Sequence, residues 1–131
     1  MAAVKPICAE LSEKQQRIAR LLIVSLRTNY SASDQKIKST EIIKAVRARG
    51  FTLHDAELRQ IIGYIRRQDL CAPGFILSDG GGYWYSEDEN EMQQVWASEY
   101  GRALNILHNF KPLHRRFKHL QGLANNLFHN T

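Results

Sequence analysis

Apolar residues in the first half of the chain recur at helical spacing, and then the period changes to two. Ser12 with Gln15 has the form of a capping box, and Ile18, Leu21, Leu22 and Leu26 follow at three- and four-residue steps, which predicts a first helix over 13–29. The polar stretch NYSASDQKIK at 29–38 reads as a loop. Ser39 or Thr40 opens a second helix to about residue 49, with Ile42, Ile43 and Val46 inward and Gly50 as its C-terminal stop. Thr52 is the expected N-cap of a third helix over 53–68. There Leu58, Ile61, Ile62 and Ile65 fall at i, i+3, i+4 and i+7, a one-sided apolar face.

After Asp69 the helical pattern stops at Pro73 and Gly74. Phe75-Ile76-Leu77 and Tyr83-Trp84-Tyr85 are two short β-prone runs around a glycine turn, the signature of a hairpin. Strand alternation sets Tyr83 and Tyr85 on one face and Trp84 on the other. The expected arrangement packs Trp84 on the core and leaves the tyrosines half exposed. Ser86 with Glu89 then has the form of a second capping box. Met92, Val95, Trp96, Tyr100, Ala103, Leu104 and Leu107 carry a helix to about residue 110, with Gly101 its weak point. A last helix from Pro112 has Leu113, Phe117, Leu120, Leu123, Leu127 and Phe128 as its apolar set.

The stretch SDGGGYWYS at 78–86 admits two readings, a phosphate loop or a hairpin tip. A phosphate loop needs a following helix whose amides face the anion, usually with Lys and Ser or Thr. Here the glycines precede aromatic, β-prone residues and no lysine follows, so the hairpin reading stands.

Three helices followed by a hairpin is the order of a winged helix-turn-helix domain, and LRQIIGYIRRQDLCAPGFILSDGGGYWYS at 58–86 resembles the recognition helix and wing of that superfamily. The acidic helix start directly after the wing is similar to small winged-helix proteins encoded by bacteriophages and prophages. The resemblance implies a fold that is mainly α with a small β-hairpin. It divides the chain into a loose lead (1–12), a winged domain (13–86) and a C-terminal helical extension (87–131). It also implies phosphate contacts from Lys38, Ser39 and Thr40 at the start of the second helix, and a wing built on Gly80, Gly81, Gly82 and Tyr83. One departure stands out: such wings usually carry Arg or Lys at the tip, whereas this one carries Asp79 and three glycines.

If the third helix is a recognition helix, its outward face holds Ala56, Gln60, Gly63 and Arg67, flanked by Arg59, Tyr64 and Arg66. Arginine reads guanine and glutamine reads adenine in a major groove. The candidate DNA-binding set is therefore Lys38, Ser39, Thr40, Arg59, Gln60, Gly63, Arg66 and Arg67. The alternative for Gly63 is a tight helix–helix contact on an otherwise solvated face.

Composition narrows the setting. The 131 residues carry a net charge of +5 with an isoelectric point near 9.4, compatible with an anionic partner. Cys8 and Cys71 lack zinc spacing or a framework, pointing to a reducing compartment. MAAVKPICAEL has no long apolar run of a secretory leader, and LLIV at 21–24 falls far short of a membrane span, so a cytoplasmic protein is expected. His54 and Asp55 are adjacent, and neighbours on a helix do not face each other. His108, His114 and His119 lack metal-motif spacing. No enzymatic constellation, metal site or cofactor is expected.

The tail is polarised. Residues 87–99 hold five acids and no base, and residues 102–118 hold five bases and no acid. Its apolar set, led by Trp96, Tyr100, Leu104, Leu107, Phe110 and Phe117, exceeds what one small domain's edge needs. It is expected either to make a homodimer or to dock on the winged domain. The leading functional expectation is a double-stranded DNA-binding regulator or replication accessory factor of a phage or bacterium. The alternative is a phage-encoded adaptor or inhibitor that uses the same fold to bind a host or replication protein.

Overall fold

The computed structural model describes residues 11–117. It is mainly helical with one two-stranded antiparallel hairpin. The order is α1 (Glu13–Asn29), a 3-10 turn (Ser33–Gln35), α2 (Ser39–Ala48), α3 (Asp55–Arg67), β1 (Phe75–Asp79), β2 (Gly82–Ser86), α4 (Glu89–Asn109) and α5 (Lys111–Arg116). The chain divides into two compact units, Met1–Met92 and Gln93–Thr131.

Helix α1 begins as its sequence requires. Ser12 Oγ accepts from the Gln15 amide at 3.2 Å, and Gln15 Oε1 accepts from the Ser12 amide at 3.0 Å. Leu11, assigned to a loose lead, is buried in the core beside Ile18, Leu22 and Leu26. Helix α2 ends at Gly50, whose φ of +92° lets the amides of Gly50 and Phe51 turn back to the carbonyls of Arg47 and Val46. Helix α3 ends by the same closure on a residue with no such freedom: Asp69 has φ of +53°, and the Leu70 amide reaches the Ile65 carbonyl at 3.1 Å.

Helix α3 starts later than Thr52 would set it. Its N-cap is His54 and its first residue Asp55. Leu53 is completely buried, and its carbonyl accepts from Arg47 Nη2 at 3.2 Å, which holds the chain extended there. Thr52 instead receives Lys14 through its carbonyl and hydroxyl. Leu58, Ile61, Ile62 and Ile65 are all buried as the period implied. Fully burying a side chain of this kind is worth about 1.5–3 kcal/mol.

The hairpin is longer and its turn tighter than the apolar triplets suggest. Asp79 pairs with Gly82, leaving Gly80 and Gly81 as a two-residue tip. The outer edge of β2 is also covered. Ile37 and Tyr83 exchange both backbone hydrogen bonds at 2.9 Å, and the Tyr85 amide donates to the Tyr30 carbonyl at 2.7 Å. The segment between α1 and α2 thus covers the free edge of β2 through an isolated bridge at Ile37.

The faces of β2 require a correction. Tyr85, not Trp84, joins the main core with Ile76, and Tyr83 packs partly against it. Trp84 is buried on the opposite face, where its indole N–H donates to Glu91 at 2.8 Å and Lys36 Nζ lies 5.0 Å from the ring centre. The Tyr85 hydroxyl donates to Glu87 at 2.8 Å. The start of α4 is corrected as well. Asp88 is the cap, its Oδ1 accepting from the amides of Asn90 and Glu91, while Ser86 Oγ accepts from the Asp88 amide.

In the second unit α4 runs unbroken through Gly101, and neither it nor α5 buries a residue. Trp96, Tyr100, Leu104, Leu107, Phe110 and Phe117 are all exposed. Leu120, Leu123, Leu127 and Phe128 lie outside the described residues. Among the described residues, no helix is long and apolar enough to cross a membrane.

Candidate nucleic-acid interface

Three element ends meet on one side of the first unit. The start of α2, the start of α3 and the hairpin tip line an open cleft of about 320 Å³, formed by Lys38, Ser39, Thr40, Asp55, Arg59, Ser78, Asp79, Gly80, Gly81, Gly82 and Tyr83. Eight of the residues singled out in the sequence therefore share one surface, although the chain separates their outermost members by more than forty positions.

Each wall has a local cause. Lys38 is the N-cap of α2 and stays extended, at φ −74° and ψ 150°, because residues 36–38 are held against β2. No side chain caps this helix start, and the Lys38 carbonyl takes the amides of Glu41 and Ile42. A helix start of this kind, with a lysine, a serine and a threonine, favours negative charge. On α3, Arg59 bonds Asp55 at 2.6 Å across one turn, and both side chains are exposed. Such pairs contribute about 0.3–0.5 kcal/mol, so Arg59 can exchange Asp55 for another anion at little cost.

The hairpin tip is neutralised from within. Lys36 Nζ meets Asp79 Oδ2 at 2.5 Å, and Asp79 Oδ1 accepts from the Gly81 amide at 2.7 Å. The Lys36 hydrogen bond, followed by the Gly81 amide, holds the Asp79 carboxyl below its usual range. The lysine therefore supplies at the tip the charge that Asp79 takes away. Lys36 was no site candidate in the sequence, since its partner lies far along the chain.

Gly82 permits the close seating of the tip. Its φ is +137°, and a β-carbon there would lie 2.4 Å from the Ile37 carbonyl oxygen. Of the two tip glycines, Gly80 has open space, whereas a β-carbon on Gly81 would lie 3.2 Å from Asp79 Oδ1 and 3.3 Å from the Lys36 side chain.

The remaining candidates on α3 separate into two groups. Gln60 and Arg67 are exposed on the outward face. Among the described residues, a β-carbon on Gly63 would meet only the Arg67 side chain, 3.1 Å from Nη1, and no second helix. Arg66 serves the hairpin. Its Nε donates to the Ile76 carbonyl at 2.8 Å, its Nη2 to Ser78 Oγ at 3.0 Å, and its guanidinium lies 6.0 Å from the Phe75 ring centre.

Among the described residues, no three His, Cys, Asp or Glu side chains are grouped to hold a metal ion. Cys71 is buried, and burial pushes its thiol above the ordinary range. Comparison with family models, with curated proteins and with solved structures returned no match.

Proposed function

We propose that this chain binds double-stranded DNA through a winged helix-turn-helix arrangement, as a regulator or replication accessory factor of a phage or bacterium. The observation that carries the reading is the convergence of Lys38, Ser39, Thr40 and Arg59 with the hairpin tip on one cleft. In this reading the α2 start and Lys38 hold one phosphate stretch. Arg59, Gln60 and Arg67 on α3 face the bases, and Tyr83 and the glycine tip lie along the backbone. The bridge between Ile37 and Tyr83 supports it, because it seats the hairpin beside the α2 start. Arg66 supports it from behind, as a positioning residue that ties the helix to the hairpin.

The test is a fluorescence-anisotropy titration with random-sequence duplex DNA at two salt concentrations. Micromolar affinity that falls with salt and with Arg59→Ala/Arg67→Ala is expected. No binding at low salt would overturn the reading.

A second reading is favoured by the carboxylates of Asp55 and Asp79 in the cleft wall. With its tip charge cancelled by Lys36, the same surface suits a protein partner, in the manner of an adaptor or inhibitor. Salt separates the two: a phosphate-driven complex weakens steeply as salt rises, whereas an interface with an apolar centre does not.

A further inference from the structure

We infer that the C-terminal helices pair antiparallel with those of a second copy of this chain, through a coiled-coil seam. Eight of the ten large apolar side chains exposed among the described residues lie between 96 and 117. Their order decides what covers them. Trp96, Tyr100, Ala103, Leu107, Phe110 and Phe117 keep alternating steps of four and three, with His114 at the one polar place in the series. That spacing repeats every seven residues, a period of 3.5 that suits helix against helix in a left-handed supercoil. The two helices meet at Phe110, whose amide donates to the Ile106 carbonyl at 3.3 Å and whose carbonyl accepts from the His114 amide at 3.0 Å, so the last hydrogen bond of α4 and the first of α5 are made on one residue. From residue 96 to residue 117 the seam extends about 32 Å at helical rise.

Charge sets the partner and its direction. The five acids of 87–99 and the five bases of 102–118 occupy opposite ends of one helical stretch. A parallel pair sets acid beside acid and base beside base. An antiparallel pair of identical chains sets each acidic end against a basic one. Trp96 then lies opposite His114 of the other copy, and Tyr100 opposite its Phe110. Ala103 meets Leu107, small against large. Within its own helix Glu99 bonds Arg102 at 3.0 Å, so both charges stay beside the seam and outside it. The pairing stands apart from DNA binding and survives if that reading fails.

Sedimentation equilibrium on the full chain over a concentration series tests the assembly. A dimer is expected. Tyr100→Asp/Leu107→Asp should raise its dissociation constant at least about thirtyfold with helical content retained, since both side chains are exposed in the single chain. A monomer throughout, or a dimer that ignores the double variant, would overturn the proposal. Direction is read by a short bis-maleimide in a Cys8→Ser background. Trp96→Cys mixed with His114→Cys should give a mixed cross-linked dimer, with little product from either alone. Self-linking by each would mean a parallel pair and would overturn the antiparallel assignment.

Discussion

Arg66 Nε donates a hydrogen bond to the carbonyl oxygen of Ile76 at 2.8 Å, bridging the last turn of α3 and the first strand of the hairpin. With Ser78 Oγ as a second acceptor, this side chain holds in place the two elements that flank the cleft. Charged hydrogen bonds of this kind are worth about 1.5–3 kcal/mol, so Arg66→Ala should lower stability by about 2 kcal/mol in urea unfolding. Arg67→Ala, one residue on and exposed, should stay within about 0.5 kcal/mol of the parent. In DNA titrations the two should exchange roles, with Arg67→Ala weakening binding while stability holds.

The glycine tip offers a comparison within three residues. Gly82→Ala demands a left-handed residue and drives a β-carbon into the Ile37 carbonyl. It should cost about 1–3 kcal/mol and open the Ile37–Tyr83 pairing, visible as faster exchange of both amides. Gly80→Ala, with open space around it, should leave unfolding within about 0.5 kcal/mol.

The Lys38 side chain makes no hydrogen bond or ion pair among the described residues and is exposed at the start of α2. Lys38→Ala should leave the urea midpoint unchanged. If it meets one phosphate, the plot of log affinity against log salt should become shallower by about one unit, equally for unrelated DNA sequences. An unchanged slope would remove Lys38 from the interface.

Glu57 gives the fold a defined response to acid. Its carboxylate accepts from Gln15 Nε2 at 2.9 Å and lies 3.2 Å from Lys14 Nζ. The Gln15 hydrogen bond, aided by Lys14, holds its carboxyl below the ordinary 4.5, against the opposing effect of burial. A depressed carboxyl contributes stability above its unfolded pKa and loses it as pH falls through the lower folded value. Glu57→Gln should therefore be less stable near neutral pH and should lose stability less steeply below about pH 4.5. Urea midpoints measured across that range check both.

Some of this was legible before any coordinates. Ser12 and Gln15 cap α1 because the groups that satisfy each other lie within one turn. Gly50 ends α2 because its conformation is a property of that residue and its neighbours. Leu58, Ile61, Ile62 and Ile65 face inward because 3.6 residues per turn set them on one side. Where neighbouring residues could both cap a helix, the sequence was less decisive: Thr52 and Ser86 are both cap-like, but α3 starts from His54 and α4 from Asp88.

The chain by itself therefore determined the helices, the hairpin and most of the residues of the cleft. Tertiary structure alone decided what those residues meet. Alternation put Trp84 and Tyr85 on opposite faces, but which of them joined the main core was set by the side on which the distant helices supply Ile18, Leu26, Leu58 and Ile65 to that cluster. The spacing on α3 marked Arg66 and Arg67 alike as basic. Only the return of β1 past the helix turned Arg66 to the hairpin and left Arg67 to solvent. The physical reason is one of range: periodicity and capping are settled within a turn or a strand, whereas a hydrogen-bond partner depends on which distant backbone the fold brings near.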